Sequence, residues 1–254
     1  MNPPLSIPPS RRSAALVIFA KAPIPGQVKT RLCPPLTHDE AATLHGSFVL
    51  DTLERTKAAV SRLKLPFDRY LACTPSSTLV FFKIMEERQG VKLIDQEGED
   101  LGTRMHRACE TLFTRGYQRV LIVGTDVPSL PLGYYKQAFE LLEKHDLVLG
   151  PALDGGYYLI GLNKSVPTLF QNMPWSTGRV LALTREKANE LGLTIGLLPE
   201  WRDIDRIDDL RAMIEASSLD VKKPKDEQSI SSRTAGALQL IAKRLKTRHN
   251  GASS

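Results

Sequence analysis

An α/β fold built on a mainly parallel sheet is the class this sequence predicts, and three observations predict it. Short unbroken apolar runs recur, the clearest being AALVIFA (14–20) and RVLIVGTD (119–126), the pattern of strands buried on both faces. Between them lie longer stretches with apolar residues at helical spacing. Strand and helix patterns alternate along the chain, with turn residues at the joints.

Taken in order, the first strand is AALVIFA, which stops where a Pro- and Gly-containing loop begins. Thr37 followed by Glu40 is a capping-box pattern, and it opens a helix through LHGSFVLDTLERTKAAV. A second strand is expected near DRYLACT (68–74), a helix near STLVFFKIMEERQ, and a short strand at VKLI (91–94). DLGTRMHRACETLFTRG reads as a helix ending at Gly116, and RVLIVGTD as the clearest buried strand. LGYYKQAFELLEKH is then a helix, DLVLGPA (146–152) a strand, TREKANELG a helix, LTIGLLPE a strand and DIDRIDDLRAMIEA the start of another helix.

The 254 residues can bury a large core as one domain with at most a small appendage. The formal net charge of +6 is unevenly placed, because residues 222–254 hold eight Lys or Arg against two acids. Residues 1–221 are therefore neutral overall, which argues against a nucleic-acid-binding core. The expected organisation is a disordered leader (1–13), a catalytic domain (14–221) and a basic linker with a tail helix (222–254). That helix, AGALQLIAKRLKTR, has Leu238, Ile241 and Leu245 on one side; it either docks on the domain, stays loose, or attaches to an anionic surface. No apolar run reaches the roughly 18 residues of a membrane span. Cys33, Cys73 and Cys109 lie far apart, form no CxxC pair and suit a reducing compartment, so a cytoplasmic location is expected. The five histidines have no metal-ligand spacing, and without GxSxG a Ser-His-Asp hydrolase has no starting point.

Ligands of open α/β sheets bind beyond the carboxyl ends of the strands, so those ends carry the candidates. The first, FAKAPIPGQVKTRL (19–32), holds Lys21, Lys29 and Arg31 with no acid nearby, and Gly26 in a stiff turning loop. It suits a di- or triphosphate; the alternative is an exposed loop whose cations pair with acids from elsewhere in the chain. It is neither a Walker loop nor a dinucleotide fingerprint. Asp126 falls where the best strand runs out and either holds a divalent cation or caps a turn. Asp203 and Asp205, two apart, face one side of an extended segment and would repel without a cation between them; local capping is the alternative. In GPALDGGYYLIGL, Gly155 and Gly156 allow close backbone approach, and Asp154 with Tyr157 or Tyr158 would meet an acceptor; a tight strand-to-strand turn explains the same letters. Asp100, Gly102 and Arg104 sit at a helix start that suits an anion or a simple cap, and Trp175 either stacks on a ring or packs.

FAKAPIPGQVKTRL, QEGEDLGTRM, GTDVPSL, LDGGYYLIGL and DIDRIDDL, in that order, resemble the bacterial glycosyltransferase-A-like family, often described as arsenosugar-biosynthesis-type glycosyltransferases. The resemblance spans about residues 14–215. It implies a nucleotide-diphospho-sugar transferase fold, a central, mostly parallel mixed sheet flanked by helices. It further implies phosphate binding by Lys21, Lys29 and Arg31, a metal on Asp126, and Asp154 with its two glycines on the acceptor side. VKTRL and DID are also similar to segments of 2-phospho-lactate guanylyltransferases, which implies a metal cluster on Asp126, Asp203 and Asp205. Gly124-Thr125-Asp126 keeps only the second acid of the glycosyltransferase DxD. The expected chemistry is thus Mg²⁺- or Mn²⁺-dependent sugar transfer from a nucleotide sugar to a small-molecule acceptor. The alternatives are nucleotidyl transfer from a nucleoside triphosphate and silent nucleotide binding. Asp126, Asp154 and Lys29 are the expected catalytic residues.

Overall fold

The computed structural model describes residues 12–222 and 228–251. The leader expected over residues 1–13 lies outside them up to position 11, as do 223–227 of the expected linker. Among the described residues, seven strands form one sheet in the order β3-β2-β1-β4-β6-β5-β7. They are β1 (Arg12–Lys21), β2 (Phe67–Thr74), β3 (Lys92–Asp95), β4 (Tyr117–Gly124), β5 (Leu147–Pro151), β6 (Tyr157–Leu162) and β7 (Ile195–Leu197). Among the described residues, α1 (His38–Arg62), α2 (Val80–Gln89), α3 (Leu101–Thr114), α4 (Leu132–Leu141) and α5 (Val180–Glu190) lie between strands, and α6 (Ile207–Asp220) and α7 (Ser232–Gly251) follow β7.

Strands β3, β2, β1 and β4 run parallel, β6 runs antiparallel to both β4 and β5, and β7 lies parallel to β5. The α/β expectation holds, and the mixed part of the sheet arises at one place. DLVLGPALDGGYYLIGL folds as the strand–turn–strand alternative, with a bulge at Gly150/Pro151 before the turn. Gly155 enables that turn at φ +87°, a conformation costly for any residue with a Cβ.

Period-two alternation divides the core between the two faces of the sheet. Leu16, Ile18 and Leu121 join α1, α2 and α4 on one side, through residues such as Leu53, Phe82 and Tyr135. Ala15, Val17 and Ile122 join α3 and α5 on the other, through Met105, Leu112 and Ala188. Full burial of a side chain such as Leu16 is worth about 1.5–3 kcal/mol, so both faces anchor the strands. The capping box expected at Thr37 and Glu40 is formed, which fixes where α1 starts beyond β1.

A third apolar cluster joins Leu36, Leu44 and Phe48 near the start of α1 to Leu210 and Met213 of α6 and to Leu238 and Ile241 of α7. The tail helix therefore docks, using the face its spacing marks out. Arg233 pairs with Asp51 and Glu54 of α1, and Arg244 with Glu40.

Candidate functional site

The carboxyl ends of β1 and β4, with the loops that follow them, floor a cleft of about 720 Å³. That volume suits a nucleotide-sized ligand with room for a second group. Of the expected residues, Lys21, Lys29, Arg31, Arg104, Asp126, Asp154, Gly156, Tyr157, Trp175, Asp203 and Asp205 all line it, although they come from six separate stretches of chain.

Gly26, Gly102 and Gly155 are not in the lining, and each has another physical reason. Gly26 turns the first loop at φ +78° with open space where a Cβ would stand. A Cβ on Gly102 would come within 2.5 Å of the Trp175 ring, so this glycine seats the indole rather than an anion. A Cβ on Gly155 would meet the Gly178 carbonyl oxygen at 2.2 Å, so the close approach is to the protein's own backbone.

The first loop departs most from the expectation of bare cations. Lys21, at the end of β1, is exposed and makes no ion pair among the described residues. Lys29 is buried: its side chain is 3% exposed and its Nζ lies 2.6 Å from Asp126 Oδ1. The same ammonium donates to the Ile204 carbonyl. Arg31 Nη1 lies 2.6 Å from Asp205 Oδ2, with both groups partly open to solvent. Two of the three cations thus meet acids that stand about 100 to 175 positions later, as the alternative reading of this loop foresaw.

Asp126 follows β4 directly, and its side chain is 47% exposed in the cleft. Burial works against its ionisation, but the Lys29 ammonium outweighs it, so the carboxyl titrates below the ordinary range. Asp203 behaves oppositely. Desolvation, then the charges of Asp154 and Asp126, push its carboxyl up to about 6. Asp154 Oδ1 accepts from Gly156 N at 2.8 Å inside the turn, which fixes the carboxyl beside the cleft. Asp100 takes the capping alternative, its carboxylate accepting from Thr103 N at 2.6 Å to start α3. Arg104 is steered by its Nε, which donates to the Gly98 carbonyl at 2.8 Å.

Among the described residues, no three His, Cys, Asp or Glu side chains converge as a metal cage. Asp205 is turned toward Arg31 and Asp154 Oδ1 toward Gly156 N, which leaves Asp126 and Asp203 as the candidate pair. A carboxyl that is desolvated and faces the charges of Asp154 and Asp126, as Asp203 does, fits a cation beside it. Two carboxylates suit Mg²⁺ or Mn²⁺ that takes its remaining ligands from phosphate oxygens and water.

Gln96 and His45 also line the cleft, and the sequence reading gave neither a role. Gln96 Nε2 donates to the carbonyls of Ala20 and Ala72 at 3.2 and 2.8 Å, tying the ends of β1 and β2. It stands directly after β3, so the strand-end rule that marked Asp126 would also have marked it. His45 lies mid-helix in α1, its Nε2 3.1 Å from the Lys21 carbonyl and its pKa drawn down by burial. No local signal sets it apart.

A family model described as "Uncharacterized protein conserved in bacteria (DUF2064)" matches residues 58–177. Among solved structures, a Desulfovibrio desulfuricans G20 protein with the provisional description nucleotide-diphospho-sugar transferase is 32% identical, with a TM-score of 0.78. The match covers 92% of this chain and 97% of that one. A cytidylyltransferase from Leptospira borgpetersenii serovar Hardjo-bovis is 14% identical, with a TM-score of 0.54 over 92% of this chain and 95% of that chain. The 4-diphosphocytidyl-2C-methyl-D-erythritol synthase of Anaerococcus prevotii DSM 20548 is 11% identical, with a TM-score of 0.51 over 79% and 95%. The last two share the fold alone. No curated protein matches the chain. No helix among the described residues is long and apolar enough to cross a membrane.

Proposed function

This chain belongs to the DUF2064 family and has the nucleotide-diphospho-sugar transferase fold, and from that premise we propose that it transfers a sugar from a nucleotide sugar to a small-molecule acceptor. The observation that carries the reading is the charge distribution of the cleft: Lys21 and Arg104 follow β1 and β3 on one side of the sheet, and Asp126, Asp154 and Asp203 follow β4, β5 and β7 on the other. A nucleoside diphosphate leaving group needs several positive donors, and an acceptor hydroxyl needs a base.

In this reading Lys21 and Arg104 bind the diphosphate, while Arg31 is spent on Asp205. Asp126 and Asp203 would hold Mg²⁺ or Mn²⁺, which supplies charge neutralisation to the departing diphosphate. The bond between the anomeric carbon and the diphosphate oxygen breaks as the acceptor oxygen bonds to that carbon. Asp154, whose Oδ2 is left over from the turn, takes the acceptor proton. Tyr157 and Trp175 flank the acceptor, where an aromatic face suits a sugar ring or another flat apolar surface.

A second reading, nucleotidyl transfer from a nucleoside triphosphate, is favoured by the place of Asp126 and Asp203, acids from two distant segments, in the lining of one cleft. It accords with the resemblance to 2-phospho-lactate guanylyltransferases, as the first accords with that to arsenosugar-type glycosyltransferases. One assay separates the two: nucleotide sugars and nucleoside triphosphates, with and without Mg²⁺ or Mn²⁺, following nucleoside diphosphate and pyrophosphate separately. Metal-dependent diphosphate release supports sugar transfer. Pyrophosphate release replaces it with nucleotidyl transfer. Absence of turnover together with absence of thermal stabilisation by every donor would sink both.

A further inference from the structure

We propose that Lys29 is a positioning residue: a buried clamp that fastens the end of β4 to the acidic segment before α6 and so sets Asp126 against Asp203, instead of binding phosphate itself. The inference rests on the reading that Asp126 and Asp203 serve one ligand in this cleft, and it changes the role expected of this lysine.

Three independent observations converge on it. The Lys29 ammonium spends one donor on Asp126 and another on the Ile204 carbonyl, and the Phe48 ring centroid lies 5.9 Å from its nitrogen. The two segments that it joins are also linked directly, since Ile204 N donates to the Asp126 carbonyl at 2.9 Å. The Lys29 backbone sits in the left-handed region (φ 49°, ψ 34°) between the buried Val28 and the short 3₁₀ turn Thr30–Leu32. A non-glycine residue there is held by its surroundings, and here they aim the side chain inward.

A phosphate reaching this ammonium would compete with Asp126, a carboxylate 2.6 Å away, for a lysine side chain that is only 3% exposed. Lys21 and Arg104 offer their charge without that exchange. A buried ammonium is also a poor device for stability alone, because an apolar side chain would fill the same space without desolvating a charge. What the ammonium adds is direction. It holds two loops, 78 residues apart at Asp126 and Ile204, in one register. Arg31 on Asp205 is the outer, more exposed counterpart of the same fastening.

The test is a double-mutant cycle of Lys29→Met and Asp126→Asn on the full chain, read four ways. Urea unfolding without ligand measures coupling; amide hydrogen exchange at Ile204 is compared with that of the β4 interior. Calorimetry with inorganic pyrophosphate in metal-free buffer probes phosphate binding, and kcat and KM are taken on the donor that the product assay identifies. The expected result is strong coupling, with the double variant more stable than additivity predicts. Exchange at Ile204 rises at least tenfold in Lys29→Met, while β4 interior amides change less. Pyrophosphate affinity stays within twofold in Lys29→Met but falls about tenfold in Arg104→Met. The kcat of Lys29→Met falls a hundredfold or more with donor KM within threefold, a split that lost phosphate binding would reverse.

A tenfold loss of pyrophosphate affinity in Lys29→Met, or additive stabilities with unchanged exchange at Ile204, overturns the proposal. If Lys29→Met alone does not fold, recovery of folding in the double variant supports the clamp. Failure of the double variant while Asp126→Asn folds normally overturns it. Should wild type bind no pyrophosphate, the nucleotide reading fails, while coupling and exchange still decide the role of Lys29.

Discussion

The two walls of the cleft are built from the same sheet yet differ in charge, in origin and in how they are held. The basic wall comes from the loop after β1 and from the start of α3, where Lys21 is exposed and Arg104 is oriented by a single hydrogen bond to Gly98. The acidic wall comes from the end of β4, the β5–β6 turn and the segment before α6, and it is fastened by short polar contacts. The difference teaches that charge for a ligand and charge for architecture obey opposite rules. A cation meant for phosphate is left unspent at the surface, whereas one that sets geometry is buried and saturated.

Four perturbations break or sharpen that contrast. The largest effect is expected from Asp126→Ala, which removes the floor carboxylate of the acidic wall. Its kcat/KM on the identified donor should fall at least about a thousandfold, and the response to added Mg²⁺ or Mn²⁺ should vanish. Retained metal-dependent activity would take Asp126 out of the metal role.

Gly155→Ala strikes the turn that carries Asp154. With φ at +87° and the Gly178 oxygen 2.2 Å from the new methyl, a loss of about 2–4 kcal/mol is expected in urea unfolding. Wild-type stability in this variant would mean that the turn yields easily. On the basic wall, Arg104→Met should weaken donor binding about tenfold, roughly 1.4 kcal/mol, and lower its salt dependence. Unchanged affinity at low salt would place the phosphates elsewhere.

The smallest effect is one of pH. The Asp203 carboxyl, raised to about 6, contributes fully below its unfolded value near 4, and that contribution is lost as pH rises through 6. In chelator-treated protein, Asp203→Asn should therefore gain stability relative to wild type between pH 4 and 7. The gain is about 1 kcal/mol once its partial exposure is discounted. An equal pH slope in the two proteins would mean that Asp203 is not crowded by Asp154 and Asp126.

How much of this was legible beforehand varies by residue. Strands β1 and β4, the Thr37–Glu40 cap and the docking face of α7 follow from local pattern, because burial on two faces, helix capping and helical spacing each act over a few residues. Asp126 was legible because a strand end is a place that sequence can locate. Gly102 and Gly155 were legible as special, but not in what they approach: their neighbours, Trp175 and Gly178, arrive from another part of the chain.

By itself the sequence determined the fold class, the strand ends and the set of polar residues from which a site could be made. Only the tertiary structure decided which charges are spent. Lys29 meets Asp126 and Ile204, and Arg31 meets Asp205, across separations of up to 175 residues. Chain order carries no record of such meetings. Periodicity reports which face of an element is buried, whereas pairing of charges depends on how the strands are ordered in the sheet and on which loops that order brings together.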